Sequence, residues 1–268
     1  MPIDTFSKNS NHHIYSEFCY LNNTVQFSLQ HNILLQFIIL IMMLRTCFLS
    51  LSLLIVNINC LASSQDDEYP TVCLADGPCY QGSWMTTLTG KKFASFQGIR
   101  YAQPPVGELR FRSPKPYMDA AGATVNVSGV STVQCPQYNG HNEEGQEDCL
   151  MLNVYVPESA FDDVDELMSV MVWVHGGSLV KGTNSMQVGF KYSPFTLVDN
   201  DVILVSINYR LSYLGFMFMG TEDVPGNAGL RDQNMAMTWV QDHIDMFGGN
   251  PGAVTIFGES AGSIRFLS

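Results

Sequence analysis

Gly258-Glu259-Ser260-Ala261-Gly262 reads G-x-S-x-G directly behind the apolar run Ala253-Val254-Thr255-Ile256-Phe257. A serine in that pattern, between a strand and a helix, occupies a tight turn: the glycines leave room for close backbone packing and the hydroxyl projects from the sheet. The chemistry on offer is nucleophilic attack on an acyl carbon. The N–H of the next residue, Ala261, then points to where a tetrahedral intermediate carries its negative oxygen. A second stretch, His175-Gly176-Gly177-Ser178, follows another apolar run. A loop of this kind adds N–H donors to the same oxygen, and Ser178 at its fourth place can serve if its φ/ψ is allowed, because the donor is backbone. The pattern alone is weak evidence; its strand-before, helix-after context strengthens it.

Both stretches need a sheet to hold them. "LMLNVYVP", "SVMVWVHGG", "DVILVSINYR" and "AVTIFGES" are nearly continuous apolar and β-branched runs, the pattern of parallel strands covered on both faces. Between the last two, "NAGLRDQNMAMTWVQDHIDMFGG" repeats Ala236, Trp239 or Val240, Ile244 and Phe247 at three- and four-residue steps and stops at Gly248-Gly249. That spacing predicts a helix acting as the crossover of a βαβ unit. Upstream, "TVCL", "CYQGSWMTTL" and "KFASFQGI", divided by Asp-Gly and Thr-Gly turns, predict a small antiparallel meander. The proline-rich connector "PPVGELRFRSPKP" follows it. The expected fold class is α/β, with a sheet mixed at its N-terminal edge.

The 268 residues, 46% hydrophobic and 14% charged, suffice for a substantial core. A net charge of -12 with only 13 Lys and Arg argues against a nucleic-acid partner. Residues 1–62 differ from the rest, with the most hydrophobic stretch of the chain and two acidic side chains. The favoured reading starts the working protein at Met42 or Met43, with Arg45 as the positive n-region, 47–58 as the apolar h-region and Cys60-Leu61-Ala62 as the cleavage site. Residues 1–41 are then an upstream extension, 42–62 a signal peptide and 63–268 the mature domain of a secreted protein, with no stable membrane insertion after cleavage. A membrane-spanning helix over 33–58, interrupted by Arg45, is the alternative and would make a signal-anchored protein. Four cysteines remain after cleavage, and of three connectivities the sequential one, Cys73 with Cys79 and Cys135 with Cys149, is favoured over the others and over free thiols. Asn126-Val127-Ser128 is a glycosylation acceptor. The cysteines lack a C-x-x-C arrangement with nearby histidines, so no metal site is predicted, and the chemistry needs no cofactor.

Six blocks then carry a family resemblance: "FASFQGIRYAQPPVGELRF", "EDCLMLNVYVP", "VMVWVHGGS", "VSINYRLSYLGFM", "PGNAGLRDQNMAMTWV" and "FGGNPGAVTIFGESAG". Their order and spacing resemble the type-B carboxylesterase and cholinesterase family, most of all insect secreted esterases, over about 72–263. The resemblance implies an α/β-hydrolase fold, a small-molecule ester substrate and acyl-enzyme chemistry. It implies Ser260 as nucleophile, Gly177, Ser178 and Ala261 as oxyanion-hole donors, and Glu259 as an acidic neighbour outside the triad. It also matches the Cys135–Cys149 disulfide and two scaffold ion pairs, Arg110 with Glu147 and Arg210 with Asp232.

Two departures matter. The segment between Cys135 and Cys149 has no tryptophan, which argues against the aromatic choline site of cholinesterases and a quaternary ammonium substrate. In the family the triad acid and histidine lie far beyond the nucleophile, and eight residues follow Ser260 here. Of the histidines present, His175 is expected to brace its loop and His243 to pack on the crossover helix, while His141 lies in the Cys135–Cys149 loop. Loss of the base costs on the order of 10⁴ to 10⁶ in rate, so this polypeptide alone is expected to be nearly inactive, the N-terminal half of an esterase. Its sheet is expected to end at the strand leading to Ser260 with an uncovered edge. The rival reading is a catalytically silent cholinesterase-like domain used for adhesion or binding.

Overall fold

The structure, a computed structural model, describes residues 69–138, 140, 142–162, 166–185 and 192–263. The predicted extension, signal peptide and membrane-spanning alternative lie outside the described residues, as does His141. Among the described residues no helix is long and apolar enough to cross a membrane.

The described residues open with a hairpin of β1 (Thr71–Cys73) and β2 (Cys79–Gln81), closed by a disulfide between the facing residues Cys73 and Cys79. β5 (Thr124–Asn126) joins β2 in parallel. The run "CYQGSWMTTL" is therefore divided: β2 belongs to this small sheet, whereas β3 (Ser83–Thr86) pairs with β4 (Lys92–Arg100) in the main one. Alternation within the run cannot show that division, because the chain changes partners across the single residue Gly82. The hairpin of β6 (Gln137–Tyr138) and β7 (Glu143–Glu144) lies inside the loop closed by Cys135–Cys149.

The main sheet has six strands in the order β11-β9-β10-β8-β4-β3. The four predicted apolar runs become β8 (Met151–Pro157), β9 (Met168–Val174), β10 (Ile203–Ile207) and β11 (Gly249–Gly258). Every residue of β8 and β10 is buried, as expected of strands covered on both faces. Burial does not encode direction, however. β9 is parallel to β10 and β11, whereas β8 is antiparallel to both β10 and β4. Among the described residues β11 forms one edge of the sheet, with β9 as its neighbour.

Helix α1 (Pro194–Leu197) begins at Ser193, whose hydroxyl accepts the Phe195 N–H, and short α2 (Ser212–Phe216) follows β10. The crossover helix α3 (Ala228–His243) continues into a 3₁₀ turn ending at Gly248, in the left-handed region at φ 78°. Its stripe, Ala236, Trp239, Val240, Ile244 and Phe247, is buried in one cluster with Val170, Val172 and Val174 of β9 and Ile203, Val205 and Ile207 of β10. Each fully buried side chain of that size contributes about 1.5–3 kcal/mol. On the opposite face Phe93, Tyr155, Val198 and Leu204 form a smaller cluster flanked by Trp173 and Phe257.

Candidate active site

β11 and β9 run in parallel with Gly258 opposite Val174, the last residue of each strand. The two glycine-bearing stretches therefore leave adjacent strand ends side by side. After Gly258 the chain stays extended through Glu259 (φ -112°, ψ 142°), then reverses at Ser260, whose φ of 52° lies in the left-handed region. A non-glycine residue there carries about 1–2 kcal/mol of strain. A 3₁₀ turn over Ser260–Gly262 follows, with the Gly262 N–H donating to the Glu259 carbonyl (2.9 Å) and the Ser263 hydroxyl to the Ser260 carbonyl (2.8 Å). Ser260 and Glu259 are exposed.

Close packing explains the small residues. A Cβ on Gly262 would lie 2.2 Å from the Val174 carbonyl oxygen and 2.8 Å from that of His175. One on Gly176 would lie 2.5 Å from the Glu259 carbonyl oxygen and 3.3 Å from the Ser260 Cβ. Elbow and loop thus meet backbone to backbone.

The loop turns at Gly177 (φ 104°), whose carbonyl accepts the N–H groups of Val180 and Lys181, both at 3.1 Å. Ser178 and Leu179 are left-handed at φ 58° and 64°, an arrangement open to serine at the cost of local strain. Among the described residues, the N–H groups of Gly177, Ser178 and Ala261 donate to no protein acceptor. Free donors at the meeting of two backbones are what an oxyanion site requires.

The His175 ring is engaged by Tyr209 and its own loop. It is buried and stacked on Tyr209 (4.5 Å between centroids, 16° between planes), and its Nδ1 hydrogen-bonds the Gly176 carbonyl at 2.9 Å. Burial pushes the imidazole down to about 4, against a smaller upward pull from that hydrogen bond. His243 ends α3 edge-on to Trp239, at 5.3 Å, where burial also lowers its pKa. Among the described residues no imidazole hydrogen-bonds Ser260. Nor does any group of three or more His, Cys, Asp or Glu side chains there converge as a metal site.

The scaffold around the loop is polar where the sequence reads apolar. Asn153 in β8 donates to the Asn184 carbonyl (3.0 Å), and the Asn184 N–H donates to the Asn208 side chain (2.8 Å). This network anchors the exit of the glycine-rich loop, and single asparagines within apolar runs give no periodic signal of it. Arg210 and Asp232 form a buried bidentate pair, with Nε–Oδ2 2.8 Å and Nη2–Oδ1 2.6 Å, and the Arg210 N–H also donates to Oδ2 at 3.0 Å. Arg110 and Glu147 form a second bidentate pair on the surface, at 2.6 and 2.7 Å. A cavity of about 580 Å³ is bordered by Val180, Tyr138, Tyr213, Glu143 and Glu144, and residues 258–262 take no part in its lining.

A carboxylic ester hydrolase of Bombus ignitus is 42% identical over 75% of this chain and 36% of its own length. Esterase FE4 of Myzus persicae is 40% identical over 82% of this chain and 38% of its own length. The crystal structure of juvenile hormone esterase from Manduca sexta, with OTFP covalently attached, superposes with a TM-score of 0.65 at 34% identity, covering 73% of this chain and 36% of that one. The chain thus spans little more than a third of the length of the relatives it matches. A profile of the carboxylesterase family matches residues 70–266, and the chain belongs to that family, with an α/β-hydrolase fold.

Proposed function

We propose that this chain carries the nucleophile and the oxyanion-binding backbone of a secreted carboxylic ester hydrolase. The observation that supports it most is the strand register: Gly258 beside Val174 brings Ser260 against a loop with unpaired N–H groups. In this reading Ser260 Oγ attacks the ester carbonyl and its proton passes to a base. The carbonyl oxygen gathers negative charge toward the N–H groups of Gly177, Ser178 and Ala261, and collapse expels the alcohol with a proton. Water then hydrolyses the acyl-serine. Glu259 shapes the local field without joining the proton transfer.

The buried His175 and the helix-bound His243 are not the base, so the base comes from outside the described residues. Maturation begins near Ser63, and glycosylation falls on Asn126, which is exposed at the end of β5. Terminal sequencing of the secreted protein and its shift on deglycosylation test these two assignments.

The decisive experiment treats the full-length protein with a fluorophosphonate and locates the adduct by peptide mass spectrometry. Labelling at Ser260, abolished by Ser260→Ala, is the expected result. An adduct on another residue would overturn the assignment, and a complete lack of adduct would favour a silent binding domain.

A further inference from the structure

We propose that Tyr209 is a positioning residue that aims the Gly177 N–H at the oxyanion by clamping the two peptide groups before it. This rests on the reading of Ser260 as nucleophile.

The peptide unit is planar and trans, so its C=O and N–H point in opposite directions. The His175 carbonyl shares its unit with the Gly176 N–H, and the Gly176 carbonyl shares its unit with the Gly177 N–H. Each carbonyl is held by its own donor. The Tyr209 hydroxyl donates to the His175 oxygen at 2.8 Å, and the His175 imidazole donates from Nδ1 to the Gly176 oxygen at 2.9 Å. With both oxygens pinned, the Gly177 N–H is turned the other way. Two consecutive glycines offer no side chain to resist peptide rotation, so the restraint has to come from donors on their flanking carbonyl oxygens.

Tyr209 supplies both parts of that restraint. Its hydroxyl fixes the first peptide directly, and its ring stacks on the imidazole that fixes the second. The residue is fully buried just beyond β10, whose Ile207 lies opposite Val174 of β9, so the clamp is anchored in the sheet. Gly262 of the elbow packs against the same His175 carbonyl. One oxygen therefore registers Tyr209, the loop and the turn bearing Ser260 against each other.

Tyr209→Phe in the full-length protein keeps the stacked ring and removes the donor. Removing one oxyanion donor outright costs about 10²- to 10³-fold in kcat, so a misaimed donor should lower kcat for a p-nitrophenyl ester about 10- to 100-fold. KM should stay within about twofold, and affinity for a trifluoromethyl ketone, whose adduct presents an oxyanion, should fall with kcat. Rates are expressed per fluorophosphonate-labelled Ser260, which removes any contribution from unfolded protein. An unchanged kcat per labelled site would overturn the clamp. Ser260→Ala is assayed alongside: hydrolysis surviving that change refutes the nucleophile itself, whereas its loss beside an intact Tyr209→Phe refutes the clamp alone. Should Tyr209→Phe fail to fold, the imidazole ¹⁵N shifts of the unaltered protein decide the matter. Protonation at Nδ1 is expected, and a neutral ring protonated at Nε2 would overturn the clamp.

Discussion

Acidification should weaken this fold through His175 over a predictable pH window. Burial holds the folded imidazole at about 4, whereas the exposed ring of the unfolded chain titrates near 6.5. Between those values the unfolded chain binds the proton and the folded one does not, so stability is fully present above about pH 7 and falls as pH drops toward 4. The linkage works out to a loss of about 2 kcal/mol at pH 5, approaching about 3 kcal/mol below pH 4. For a domain of this size 2 kcal/mol corresponds to about 4–8 °C in Tm. Carboxylates and His243 add slopes of their own, so the comparison is with His175→Phe, which keeps an aromatic ring against Tyr209 and cannot titrate. Urea unfolding of both proteins at pH 8 and pH 5 isolates the His175 share. The unaltered protein should lose about 2 kcal/mol more than the variant between the two conditions. Equal losses would refute the reasoning and mean that the ring is charged or solvated in the folded state.

Two further substitutions probe the scaffold and the elbow. Asp232→Ala strips a buried guanidinium of a carboxylate that accepts three of its residue's hydrogen bonds, and should cost about 3–5 kcal/mol by denaturant unfolding. Replacing both partners by apolar residues (Arg210→Met with Asp232→Leu) should recover most of that loss. Gly262→Ala places a methyl group 2.2 Å from the Val174 carbonyl oxygen, a backbone contact with no flexible end to yield. It should destabilise the protein by about 3 kcal/mol and slow fluorophosphonate labelling of Ser260, read by unfolding and labelling rate.

Among the described residues β11 lies at a sheet edge with Ile256 exposed, and the chain spans little more than a third of the relatives' lengths. Rate measurements therefore belong on full-length protein, whereas the local tests of packing and ionisation concern residues placed within the described fold.

Several features of this protein were legible in the residues alone. Apolar continuity marks β8 to β11 as strands, and three- and four-residue spacing marks the stripe of α3, because side-chain periodicity follows from the backbone geometry of each element. It overstates their cover: β8 and β10 are buried throughout, whereas β9 is buried only at alternate positions and β11, at a sheet edge among the described residues, is mostly half-buried or exposed. G-x-S-x-G behind a strand and H-G-G-S behind another mark two tight turns, since small residues are needed where backbones approach. Tertiary structure decided which of these elements become neighbours. That β9 lies between β10 and β11, that β8 runs antiparallel to β10, and that Gly258 stands opposite Val174 are non-local pairings without a local periodic signature. The same holds for Tyr209: its place in the sequence marks the end of a strand, and only the packing of β10 beside β9 puts its hydroxyl on the His175 carbonyl, where it can hold two glycine peptides still.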